Sequence, residues 1–237
     1  FDKMNLKNKY LMIILAVIII KINFSINVQA KEYNRFNNIS IEDGLSQATV
    51  ETMMQDSKGY IWLGTNDGLD RYNGYTFKKY SYEKGQENSL VNSYILDIKE
   101  DSEGNIWVAT AAGISKIYND GEKVQNYTSD SESGNLSNDN TTTMLISNSN
   151  KIYVGTAEGI NLYDKKTDKF NLIYPELKEE YINSLAEDKY GNIWAGTENG
   201  LYKINVGTNV IERFESTDDV NTISENYIYK VYYDGDK

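Results

Sequence analysis

The sequence predicts an all-β chain assembled from one repeated four-stranded unit, and three observations carry that expectation. The stretch GYIWLGTNDGLDRYNG, Gly59 to Gly74, returns as GNIWVATAAGISKIYNDG from Gly104, NKIYVGTAEGINLYDKKT from Asn150 and GNIWAGTENGLYKIN from Gly191. The aligned Trp62, Trp107, Tyr153 and Trp194 fall at intervals of 45, 46 and 41 residues, and Gly68, Gly113, Gly159 and Gly200 keep the same spacing. From Lys31 onward no window sustains a helical period, while short apolar runs bounded by Gly, Asn, Asp and Ser recur throughout.

Composition bounds the chemistry. With 237 residues, 40% apolar and 12% aromatic, the chain has the material for a core. Its 24 Lys and Arg against 35 Asp and Glu give a net charge of -11, which repels nucleic acid. There is no Cys and no His, so thiol nucleophiles, Cys or His zinc sites and Ser-His triads are excluded. Oxygen-loving cations such as calcium are the only metals the inventory suits, and the sequence indicates no cofactor and no metal site.

Residues 1–30 stand apart. Lys3, Lys7 and Lys9 precede an apolar run of about eleven residues, Tyr10 to Ile20, and Val28 and Ala30 suit a cleavage site. This predicts a signal peptide cut after Ala30, with Met4 as initiator and Phe1 to Lys3 as translated upstream sequence. Ile22, Phe24 and Ile26 leave open an uncleaved signal anchor. Both readings put the remainder outside the cytoplasm.

Residues 31–237 carry the repeats, in units near 45–89, 90–135, 136–179, 180–222 and 223–237. The first unit divides into strands at Thr49–Gln55, Tyr60–Thr65, Leu69–Asn73 and Thr76–Tyr82, with turns at Asp56–Gly59 and Asn66–Gly68. Units of this length with four antiparallel strands are blades of a β-propeller. Asp56, Asp101, Ser147, Asp188 and Asp234 also align, so the expected fold is about four complete blades plus a truncated fifth, an incomplete ring. Blades stack face to face, which explains the consecutive apolar Ile61, Trp62 and Leu63 and makes the Trp a wedge between sheets. Gly68 and its equivalents suit a positive φ or a close backbone approach.

The recurring Asp, Gly, Trp, Gly, Thr and Gly, best seen in DSKGYIWLGTNDGLDRYNG from Asp56 to Gly74, resemble the two-component regulator propeller repeats of bacterial extracytoplasmic sensors. The lead-in Glu42, Asp43, Gly44, Leu45 and Ser46 fits the same family. Two units depart from the pattern, one with Ala109 in place of Gly64, Gly155 and Gly196, the other with Tyr153 for Trp and Ser147 for Asp. The resemblance implies further blades, an immunoglobulin-like domain, a membrane helix and a cytoplasmic histidine kinase or diguanylate cyclase. This chain would then be an N-terminal fragment of a longer protein.

Function is expected where the copies differ. Just before the first strand of each unit the aligned residues are Thr49, Tyr94, Asn140, Tyr181 and Tyr227, on the face that also carries the turns between strands two and three. Tyr94, Tyr181, Tyr227, Asn92, Asn140 and Asn183 are the ligand candidates, because aromatic faces beside amides suit sugar rings or peptides. The alternative is that these tyrosines pack at the mouth of the central channel. The acidic turns Asp56, Asp101, Asp188 and Asp234 supply too few oxygens for calcium and read as backbone caps. Asn66, Asp67, Glu158, Glu198 and Asn199 read as turn formers, and no carboxylate pair has a defined separation for catalysis. The expected function is ligand sensing outside the cytoplasm, with a small-molecule or oligosaccharide partner and no enzymatic activity in this stretch. Membrane association would come through a downstream part or the signal anchor, with a possible homodimer in the full-length protein. The alternatives are a secreted polysaccharide-active propeller and an adhesive or scaffold propeller.

Overall fold

The computed structural model describes residues 38–130 and 135–235, and the compact body begins at Ile39. The expected signal segment at residues 1–30 lies outside the described residues. Among those described, no helix is long and apolar enough to cross a membrane.

The body holds four sheets of four antiparallel strands, each in simple chain order. Blade 1 comprises β1 (Val50–Gln55), β2 (Ile61–Thr65), β3 (Gly68–Tyr72) and β4 (Phe77–Tyr80). Blade 2 comprises β5 (Ile95–Glu100), β6 (Ile106–Thr110), β7 (Gly113–Ile117) and β8 (Val124–Tyr127). Blade 3 comprises β9 (Thr141–Ile146), β10 (Ile152–Thr156), β11 (Gly159–Asp164) and β12 (Lys169–Ile173), and blade 4 comprises β13 (Ile182–Glu187), β14 (Ile193–Thr197), β15 (Gly200–Asn205) and β16 (Val210–Phe214). The innermost strands β1, β5, β9 and β13 are successive neighbours.

The strand boundaries differ from the sequence reading at the hairpin. Gly68 pairs with Thr65, so it opens β3 and the turn is only Asn66–Asp67. The cause is a threonine clasp: the Thr65 hydroxyl donates to Gly68 O at 2.8 Å and accepts from Asp67 N at 3.1 Å. Thr110, Thr156 and Thr197 make the same pair of bonds. Gly68 has φ +124°, and a Cβ there would stand 2.9 Å from Tyr80 O, so conformation and space both exclude a side chain. The fourth strand is shorter than expected, Phe77–Tyr80 in place of Thr76–Tyr82.

The turn aspartates cap more than the backbone. Asp56 Oδ1 accepts from Lys58 N and Tyr60 N, while its Oδ2 accepts the Trp62 indole N–H at 2.8 Å. Asp101 holds Trp107 at 2.8 Å and Asp188 holds Trp194 at 3.0 Å in the same way. Burial works to raise the Asp188 carboxyl, but donors from Asn192, Trp194 and Tyr190 outweigh it and hold the pKa below its ordinary value. In blade 3 the tryptophan is Tyr153, which has no indole N–H, and the aspartate is Ser147, whose hydroxyl still caps Lys151 N at 3.0 Å. The Ser147 and Tyr153 departures of blade 3 thus fall on the two partners of the bond that the other blades make.

The core is divided among the blade interfaces. Trp62 packs with Ile98, Ile106 and Val108 of blade 2, Trp107 with Met144 and Val154 of blade 3, and Tyr153 with Ile193 and Ala195 of blade 4. Leu45, Leu90, Leu136 and Leu177 are buried ahead of the four innermost strands. Where no sheet covers a face, the same positions are open: Met53 on β1 is 70% exposed, while its equivalents Ile98 and Met144 are each 1% exposed. No strand follows β16 among the described residues, so the expected fifth unit at 223–237 contributes no sheet there. Its leading segment still docks beside β13, with Ile228 N donating to Thr197 O at 2.8 Å and Val231 N to Ser184 Oγ at 3.1 Å. It has no second strand of its own to pair with among those residues.

Candidate functional site

A feature of the innermost strands creates the candidate site. Each carries a register irregularity near its start, between Val50 and Thr52, Ile95 and Asp97, Thr141 and Thr143, and Ile182 and Ser184. A bulge leaves one residue out of the ladder and re-aims its side chain. The residues concerned are Glu51, Leu96, Thr142 and Asn183, and all four line one cavity of about 440 Å³. Two positions earlier, just ahead of β5, β9 and β13, Tyr94, Asn140 and Tyr181 join the same wall, while Thr49 ahead of β1 does not. Tyr229 and Lys230 of the docked segment complete it.

Four of the six ligand candidates thus come together, Tyr94, Asn140, Tyr181 and Asn183. Tyr227 does not line the cavity, and Tyr229, one strand repeat further on, stands there in its place. Asn92 is occupied otherwise: its carboxamide oxygen accepts Tyr94 N at 2.7 Å, as Asn138 does for Asn140 N at 2.8 Å, so it shapes the approach to the strand. Asn183 donates to Ile228 O at 3.2 Å, and Thr142 donates to Gly155 O and Ile182 O. The side chains of Tyr94, Asn140, Tyr181, Tyr229, Glu51 and Lys230 make no hydrogen bond within the described residues, which leaves their polar ends to the cavity.

The acidic groups nearby have structural work. Glu180 accepts the Tyr202 hydroxyl at 2.8 Å and Asn199 Nδ2 at 3.1 Å, and Glu158 accepts Asn138 Nδ2 at 3.1 Å. Burial, then the bond to Glu180, pushes the Tyr202 phenol up to about 12. The sequence reading missed Glu51, Leu96, Thr142, Ala111, Tyr229 and Lys230. The offset of two from Tyr94 and its equivalents was the signal for the first three, while Tyr229 and Lys230 depend on how the last segment docks.

With this geometry in place, the comparisons with known proteins fall into order. The Two component regulator propeller family matches residues 44–67, 89–112 and 176–199, which are the lead-in and first two strands of blades 1, 2 and 4. The chain carries two component regulator propeller repeats. Blade 3, with Ser147 and Tyr153, lies outside the matched segments. A curated relative, Histidine kinase P4 of Formosa agariphila, is 42% identical over 57 residues, 24% of this chain and 4% of that protein. Among solved structures, the extracellular domain of a protein described as a hybrid two component system from B. thetaiotaomicron aligns with TM-score 0.51 and 20% identity over 76% of this chain and 32% of that one. Streptogramin B lyase aligns with TM-score 0.58 and 16% identity over 79% of this chain and 60% of its own. PorZ, a surface component of the type-IX secretion system of Porphyromonas gingivalis, aligns with TM-score 0.55 and 15% identity over 78% and 29%. At these identities the structural likeness establishes the propeller fold. The chain spans a small part of the histidine kinase and about a third of the two component extracellular domain.

Proposed function

We propose that this chain is part of the extracytoplasmic sensing region of a bacterial signal-transduction protein of histidine kinase or diguanylate cyclase type, and that its inner cavity binds a nutrient such as a glycan fragment. The repeats and the similarity to a histidine kinase support the signalling role. The cavity supports the ligand class. Three phenol rings, Tyr94, Tyr181 and Tyr229, give apolar faces for sugar rings, and the free Asn140 carboxamide, Glu51 and Lys230 give donors and acceptors for hydroxyl groups. Binding is favoured over catalysis because the wall presents one carboxylate and one amine, and no carboxylate pair. Export, membrane attachment through a downstream part or a signal anchor, and a homodimer of the full-length protein belong to the same proposal.

The observation that carries it is the convergence of aromatic rings and uncommitted polar groups on one face of the blade array. The test is a thermal-shift screen of the full-length extracytoplasmic region against oligosaccharides, followed by calorimetry on any hit. Binding is expected to fall at least about fivefold in Tyr94→Ala/Tyr181→Ala, from the loss of two stacking faces at about 0.5–1.5 kcal/mol each. Undiminished affinity in that double variant refutes the site.

A further inference from the structure

Blades 1, 2 and 4 build the same stack on their second strand. Trp62, Trp107 and Trp194 lie against Tyr80, Tyr127 and Phe214 at 5.5, 5.7 and 5.7 Å between ring centroids. The directly paired residue on the third strand sets a cation over each indole: Arg71, Lys116 and Lys203 at 5.6, 5.0 and 5.6 Å. Blade 3 keeps the register and loses every member of the stack. Tyr153 replaces the tryptophan, its pairing partner Leu162 replaces the cation, and Ile173, paired to Ile160, replaces the outer ring.

A cavity of about 400 Å³ occupies the resulting space between blades 3 and 4. The three replaced positions line it, joined by Tyr174 and Pro175 after β12 and by Val206 from blade 4, with Lys151, Glu176 and Asn209 as polar lining. Tyr153 is 2% exposed and makes no hydrogen bond. No fully buried side-chain nitrogen or oxygen among the described residues lacks a partner, so the hydroxyl of Tyr153 is the part of it that opens into the cavity. Tyr174 is fixed at φ +57° ahead of Pro175, a conformation disfavoured for a non-glycine residue, and its ring is held at the cavity wall.

We infer that this cavity is a second binding site, separate from the inner one, for a small planar aromatic molecule bearing a hydrogen-bonding oxygen. The ring of the ligand takes the place of the ring that the other three blades supply from their own sequence. Its oxygen pairs with the Tyr153 hydroxyl, which opens into the cavity and makes no hydrogen bond within the described residues. A cavity of about 150 Å³ accommodates benzene, so the available volume holds one or two rings.

The experiment is isothermal titration calorimetry of the full chain with p-cresol and with its saturated analogue 4-methylcyclohexanol. The p-cresol is expected to bind, and the saturated analogue at least tenfold more weakly. Tyr153→Phe keeps the shape and removes the hydroxyl, with an expected loss of about tenfold from one hydrogen bond. Ile173→Phe restores the ring found in blade 4 and is expected to abolish binding while circular dichroism shows an intact β-sheet spectrum. Tyr94→Ala/Tyr181→Ala is expected to bind p-cresol as the wild type does, which separates this site from the inner cavity. Absence of p-cresol binding, equal binding of the saturated analogue, or an unchanged affinity in Tyr153→Phe each overturns the inference.

Discussion

Blades 2 and 3 share one backbone plan and differ in what fills the space beyond it. In blade 2, Trp107 is fully buried, stacked on Tyr127 and met edge-on by Tyr163 and Phe170 of blade 3 at 4.8 and 6.0 Å. The Tyr127 and Tyr163 hydroxyls both donate to Asp168 Oδ1, at 2.7 and 2.5 Å. In blade 3, Tyr153 has no ring partner and no hydrogen bond among the described residues, and it borders a cavity. Yet the threonine clasp, the glycine and the strand register are alike in the two blades. The backbone clasp and the aromatic wedge are thus separable: the first makes a blade, and the second cements it to the next.

The largest expected effect tests that separation. Trp107→Ala should lose about 3–5 kcal/mol of unfolding free energy, as fully packed aromatic truncations do. Tyr153→Ala should lose about half as much, because a ring beside a cavity already forfeits part of its contacts. Urea denaturation of both variants decides; equal losses would mean that the two interfaces are equally packed.

A smaller effect comes from the glycine inside the second strand. A Cβ at Gly155 would stand 2.7 Å from Ile182 Cγ2 and 2.8 Å from Thr143 Cγ2, so Gly155→Ala should destabilise by about 1–3 kcal/mol. Blade 2 carries Ala109 at this position, where its own first strand offers Asp97 in place of Thr143 and the next blade offers, in place of Ile182, Thr141. Its hydroxyl bonds Thr110 O at 2.6 Å. Adding Thr143→Ser, which removes the Cγ2 that the new Cβ meets at 2.8 Å, to Gly155→Ala should therefore restore part of the loss, with a coupling of about 1 kcal/mol in a double-mutant cycle. Strict additivity would break the comparison.

The smallest effect is electrostatic. Burial, then the nearby Tyr174 and Glu187, pushes the Tyr153 phenol up to about 12. Burial and the Asp168 hydrogen bond raise Tyr127 as well. A raised phenol pKa means the folded chain keeps a proton that the unfolded chain releases near 10, so this stability is complete below pH 10 and declines as pH climbs toward 12. Tyr153, open to a cavity, should ionise before Tyr127, which is bonded to a carboxylate. Tyrosinate absorbance in Tyr153→Phe and Tyr127→Phe, each subtracted from the wild type, measures the order, and the reverse order counts against the packing difference.

The sequence alone determined the blade. The interval of Trp62, Trp107, Tyr153 and Trp194 set the four-strand unit, since each hairpin is built from bonds within a few residues, such as Thr65 to Gly68. It also placed Tyr94, Asn140, Tyr181 and Asn183 near one another, because equivalent positions of successive blades face one axis. Only the tertiary structure decided the rest. The docking that brings Tyr229 and not Tyr227 to the wall and the closing of the hollow beside Tyr153 by Val206 join residues 40 or more positions apart, while the bulges that turn Glu51, Leu96 and Thr142 inward are register shifts within one hairpin that residue alternation does not announce. Repetition encodes the local ladder, but which side chain meets which across two blades follows from packing between sheets, and no single repeat contains that information.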